Sequence, residues 1–111
     1  MFYYRAISVK MVNSPYRLKV EPSTTVAAGT RLTVTSVGGN CWSRASFPDV
    51  SLFSPSYYDV ADGTGPTSSV PWKSLLTVPT GSKPGHYRLE ADCVDHYSVW
   101  GTYAPVVITV R

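Results

Sequence analysis

The stretch that decides the fold runs His86-Tyr87-Arg88-Leu89-Glu90-Ala91-Asp92-Cys93-Val94. Tyr87, Leu89, Ala91 and Cys93 fall on one side of a two-residue period, and Arg88, Glu90 and Asp92 fall on the other. That alternation predicts a half-buried β-strand with a polar outer side. Pro84-Gly85 stands directly before it, where a turn would deliver the chain.

The same pattern recurs outward from this stretch. Strands are predicted at Arg17 to Val20, Arg31 to Val37, Asp49 to Ser54, Ser74 to Val78 and Val106 to Val110. Val106, Ile108 and Val110 face inward in the last of these. Tyr57 to Val60 makes a short edge strand, with Asp62-Gly63 as the turn after it. Prolines fall between these runs rather than inside them, as sheet hydrogen bonding demands. Val, Thr, Tyr and Ser dominate while helix formers are sparse. Six or seven antiparallel strands, each apolar on one face, need a second sheet to cover them. The expected fold is all-β, a two-sheet antiparallel β-sandwich of about seven strands.

A chain of 111 residues allows one domain, burying roughly 65% of the surface exposed when unfolded. We place that domain at 16–111 and read 1–15 as a separate apolar and basic arm. Phe2, Tyr3, Tyr4, Ile7, Val9, Met11 and Val12 make the arm too apolar for an idle tail. It either adds a strand to the sheet or docks on a neighbour, with Phe2, Tyr3, Tyr4 and Val9 as anchors. No apolar run approaches the roughly 18–20 residues of a membrane helix, so no membrane span is expected. Met1-Phe2-Tyr3-Tyr4-Arg5 also lacks the basic-then-apolar order of a signal peptide.

The net charge of +3 comes from ten basic and seven acidic residues. Arg5, Lys10, Arg17, Lys19 and Arg31 crowd the first third, with only Glu21 against them. A nucleic-acid surface would need a denser cluster on one face, so a solvated basic flank is the reading and no nucleic-acid partner is expected. Cys41 and Cys93 lie 52 positions apart with no CxxC and only two His, which does not make a zinc site. In an oxidising compartment the two would form a disulfide, and in a reducing one both would be small buried side chains.

Catalytic signatures such as GxSxG, HExxH or a P-loop are missing from the sequence, and no base stands beside a nucleophile. His86 is expected to face solvent. Asp59 and Asp62 fit Asp-Gly turn chemistry better than a calcium site. The chain is therefore read as a non-enzyme that needs no cofactor and no metal. The better functional signal is aromatic. In a sandwich, the loop after the second strand and the loop before the last meet at one end. The first holds Trp42 and Arg44, and the second holds Asp95, His96, Tyr97 and Trp100, which together make the candidate binding set. Trp42 and Tyr97 are expected to be partly exposed contact residues. Trp100 and Tyr103 are read first as a cap on the core, and Trp72 as core or edge packing.

From Leu18 onward the order of motifs resembles the immunoglobulin-like domains of exported proteins from high-GC Gram-positive bacteria. The matching pieces are Val20-Glu21-Pro22-Ser23, Ala28-Gly29-Thr30 before Leu32-Thr33-Val34, Asn40-Cys41, Ala61-Asp62-Gly63-Thr64-Gly65, Leu76-Thr77-Val78-Pro79, Pro84-Gly85-His86-Tyr87, Ala91-Asp92-Cys93 and Ile108-Thr109-Val110. They span roughly 94 of the 111 residues. The resemblance implies that the Tyr87 hydroxyl bonds back to the backbone at a sandwich corner. It departs from antibody domains in that Cys93 comes six residues after Tyr87 and Trp42 is adjacent to Cys41. A Cys41–Cys93 link would pin the loop end of the sandwich, not its centre.

Such domains occur in cell-wall adhesins and tailed-phage virions. The expected function is a non-catalytic surface module that attaches to or decorates a larger assembly. Its partner would be a capsid or tail protein or a cell-surface component, with polysaccharide as a further ligand. A native start at Met1 favours the virion, and an artificial one favours the extracellular surface. The alternative is a secreted β-sandwich that carries a ligand, as chromoprotein apoproteins of the neocarzinostatin type do, or that inhibits an enzyme through Trp42-Ser43-Arg44.

Overall fold

A computed structural model describes residues 16–38, 47–65, 71–94 and 99–111, and of Phe47, Val94, Val99 and Trp100 the backbone alone. Where the β-branched runs alternate, strands form. In chain order they are β1 (Arg17–Glu21), β2 (Thr25–Val26), β3 (Arg31–Val37), β4 (Phe47–Phe53), β5 (Asp59–Asp62), β6 (Lys73–Thr77), β7 (Gly85–Val94), β8 (Val99–Thr102) and β9 (Val106–Val110). They build two sheets, one ordered β1-β3-β6 and the other β2-β9-β7-β4-β5. β8 follows β9's flank of β7: Gly85 to Leu89 pair with β9, and Asp92 to Val94 pair with β8.

The inward rows of the two sheets meet in one core. Leu32, Val34 and Leu76 come from the smaller sheet, and Val50, Leu52, Tyr87, Leu89, Ala91, Cys93, Ile108 and Val110 from the larger. Each fully buried Leu or Ile in this layer contributes about 1.5–3 kcal/mol relative to exposure. No helix among the described residues is long and apolar enough to cross a membrane.

Several particulars depart from the sequence reading. Nine strands stand among the described residues where about seven were expected. β2 and β8 had no counterpart because two residues, or four interrupted by Gly101, carry no readable period. β2 pairs with β9 in parallel, whereas every other pairing is antiparallel. The edge strand β5 begins two residues later than predicted because Tyr57, at φ 66°, closes a turn that runs from Ser54. Asp62 belongs to the strand, and Gly63 leads out of it toward the other sheet instead of turning a hairpin. There Thr64 N donates to Leu75 O and Ser74 Oγ donates to Thr64 O. A Cβ at Gly63 would collide with the Ser74 hydroxyl, so the close approach of the two sheets requires glycine. Pro48 lies inside β4 opposite Cys93, at a position where β5 does not reach and a proline removes no ladder bond.

Candidate functional site

The described strand ends bear on the predicted aromatic end. Phe47 pairs with Val94, and Val94 pairs with Val99, so the segments 39–46 and 95–98 leave from neighbouring positions at one end of the sandwich. The predicted contact residues Trp42, Arg44, Asp95, His96 and Tyr97 lie outside the described residues, as do Cys41 and the arm residues Phe2, Tyr3, Tyr4 and Val9. Trp100 stands in β8, where only its backbone is described. Cys93 is fully buried and is not a free thiol.

Beneath this end the core closes with aromatic rings. Trp72 is completely buried, as its reading as core packing required, and its Nε1 donates to the Tyr103 hydroxyl at 3.0 Å. The two rings meet edge to face with centroids 5.4 Å apart, and Tyr16 tilts against Tyr103 from the other side. Burial, above all, raises the Tyr103 hydroxyl pKa above its ordinary 10.0. Trp72 is held in turn by Ser36, whose Oγ accepts the Trp72 amide at 2.9 Å. The cap reading is therefore right for Tyr103.

The outer face of the larger sheet is not the wet polar surface that β7's alternation suggested. Glu90 and Asp92 are each only 2% exposed. Glu90 Oε2 accepts the Tyr57 hydroxyl at 2.7 Å and Arg88 Nε at 3.2 Å. The Tyr57 ring stacks on Phe53 at 4.8 Å and so lies over the sheet. Burial requires such partners, because an ionised carboxylate without them is costly away from water. Asp49 stands opposite Asp92, and Asp62 accepts the Ser51 hydroxyl at 2.9 Å beside it. Burial first, then the Asp62 and Asp92 charges, push Asp49 up to about 6. No group of three or more His, Cys, Asp or Glu among the described residues is arranged to hold a metal ion. His86 is exposed, as expected, with Nδ1 3.2 Å from Thr109 Oγ1.

The opposite end of the sandwich carries a cleft that sequence reasoning missed. It has a volume of about 620 Å³ and lies between the β4–β5 turn and the β6–β7 loop, walled by Pro55, Val60, Pro79, Lys83, Pro84 and Tyr87. The turn is braced by Ser54, whose carbonyl accepts Tyr57 N and whose hydroxyl accepts Tyr58 N. The loop is braced by Tyr87, whose hydroxyl donates to Lys83 O at 2.8 Å. The Pro and Ser content of 54–56 and 79–84 marked both as loops, but nothing local told that they face each other. Neither protein-family models nor curated proteins yield a match to this chain.

Proposed function

We propose that the chain is a non-catalytic, immunoglobulin-like surface module that attaches to or decorates a larger assembly, in a phage virion or at a cell surface. The observation that carries the functional part is the Phe47–Val94–Val99 pairing, which starts both aromatic-bearing loops from one end of the sandwich. Loops gathered at one end of a rigid β framework are where such domains present their contact residues. Trp42, Arg44, Asp95, His96, Tyr97 and Trp100 are the contact set, and Phe2, Tyr3, Tyr4 and Val9 anchor the arm.

Three features support the immunoglobulin-like part. The strand order β1-β3-β6 against β9-β7-β4-β5 matches the two-sheet order of that architecture. β1 with β2, and β8 with β9, act as successive halves of single strands, which reduces nine elements to seven courses. The Tyr87 hydroxyl bonds to the carbonyl four residues upstream, the contact the resemblance implies. Cys41 is the partner we assign to Cys93, since the sequence holds no other cysteine.

Co-sedimentation of the purified protein with insoluble cell wall, with polysaccharide and with tailed-phage particles tests the proposal. One of these should retain the protein. Trp42→Ala with Tyr97→Ala should weaken retention at least about tenfold at an unchanged melting temperature, as loss of aromatic anchors does. Retention by none of them, or retention indifferent to both substitutions, would refute the reading. The second reading, ligand carriage, is favoured by the cleft at the Tyr87 end. A small apolar ligand that perturbs Tyr87 while the three surfaces bind nothing would select it.

A further inference from the structure

The cleft at the Tyr87 end stands between two braced walls. In the β4–β5 turn, Tyr57 N donates to Ser54 O and Ser54 N donates to Tyr58 O, both at 2.8 Å. In the β6–β7 loop, Ser82 N donates to Pro79 O at 3.0 Å, and the Tyr87 hydroxyl holds the Lys83 carbonyl. The walls meet at Gly85, where an added Cβ would come 3.2 Å from the Pro55 ring and 3.9 Å from the Tyr87 ring. The enclosed volume of about 620 Å³ lies within the roughly 300–1,000 Å³ of small-molecule sites. Walls already ordered in the free chain spare a ligand the entropic cost of ordering them.

The lining has a definite chemistry. Pro55, Pro79 and Pro84 contribute saturated rings, Val60 a branched aliphatic group and Tyr87 an aromatic one. The electron-rich face of an aromatic ring packs well on C–H groups and on the edge of another ring. A flat ring also has few torsions to freeze, unlike an acyl chain of the same area. The charge of the cleft is of one sign. None of the residues that wall it is acidic, and Lys83 is the single charged one. Lys83 is exposed and forms no ion pair with another described residue. The Ser56 and Ser82 hydroxyls have no hydrogen-bond partner among the described residues, which leaves a donor on each wall.

We propose that the cleft binds a small aromatic acid. Its planar ring lies among the prolines and Tyr87, and its carboxylate meets Lys83, with the Ser56 and Ser82 hydroxyls as donors. This rests on the ligand-carriage reading and gives it a ligand class; the loop-end contact set lies at the other end of the sandwich and is independent of it. A carboxylate and an ammonium in contact with water attract only weakly, so burial of the ring supplies most of the affinity and Lys83 the discrimination.

Amide NMR spectra of the whole chain, titrated with naphthylacetate and separately with naphthylacetamide, test the assignment. The second compound keeps the ring and lacks the charge. Resonances of 54–60 and 79–87 should move with both, and the acid should bind about threefold more tightly. Salt at ~500 mM should remove that advantage. Lys83→Gln should weaken the acid about threefold and leave the amide unchanged, and Lys83→Arg should restore the acid. Both substitutions are at an exposed side chain whose backbone carbonyl makes the bracing bond, so the fold is kept. The fully hydrogenated acid, with the same charge on a saturated ring, should bind at least about twofold more weakly. Equal binding of acid and amide, indifference of the acid to Lys83→Gln, or equal binding of the saturated acid would overturn the assignment and leave ligand carriage standing. No shift with any of these compounds, or shifts confined to residues outside the cleft, would overturn both.

Discussion

The outer faces of the two sheets share one alternation and differ in hydration. On the smaller sheet, Thr33 and Thr35 sit half-buried among exposed Arg17, Lys19 and Lys73. On the larger sheet, Glu90 and Asp92 occupy equivalent outward positions and are buried. The neighbours make the difference. β3 is flanked outward by the exposed Lys19 and Lys73, whereas β7 is flanked by Ser51 and Phe53 of β4, with Tyr57 stacked on Phe53 and bonded to Glu90. A polar row stays wet only where adjacent strands leave it open. Where they do not, it survives only with hydrogen-bond partners.

The contrast can be broken most sharply at Glu90. Glu90→Ala should cost about 3 kcal/mol in urea unfolding, because it strips Arg88 and the Tyr57 hydroxyl of their shared buried acceptor. A change below about 0.5 kcal/mol would mean that Glu90 behaves as a surface residue. Tyr57→Phe keeps the ring on Phe53 and removes only the donor, and should cost about 2 kcal/mol as a bond to a charged acceptor.

Asp49 sharpens the contrast through pH. Its carboxyl lies at about 6 in the folded chain against an ordinary 3.8, so between these values the folded state keeps a proton that the unfolded chain has lost. Its share of stability is therefore present below pH ~4 and is lost as pH rises through ~6. Asp49→Asn should gain about 1 kcal/mol at pH ~8 and nothing at pH ~4, read from urea midpoints at both. Equal midpoints at the higher pH would show that Asp49 ionises without penalty. The smallest effect belongs to the other sheet: Lys19→Ala should change stability by less than about 0.5 kcal/mol, since its pair with Glu21 is solvated.

Most strands were legible because their cause is local. All seven predicted runs overlap observed strands, the edge run displaced by two residues, and the inward residues Tyr87, Leu89, Ala91, Cys93, Ile108 and Val110 are buried. Trp72 as core packing and the Tyr87 corner were legible for the same reason: one is a large apolar side chain before a strand, the other a Tyr two residues after a Pro-Gly turn. What escaped depended on partners far along the chain. The cleft needs 54–60 to face 79–87. Glu90 needs Tyr57, 33 residues upstream. Gly63 looked like a hairpin turn because Asp-Gly ordinarily makes one, and only the nearness of Ser74 shows that it bridges the sheets.

The sequence by itself determined which residues alternate, where turns fall and which side of each strand must be apolar, because backbone sterics and a two-residue period act within a few positions. Only the tertiary structure decided which outward rows stay wet, which end closes with Trp72 on Tyr103 and which end opens into a cleft. Those outcomes follow from side chains brought together across strands remote in sequence, and no local pattern encodes the depth at which two such chains meet.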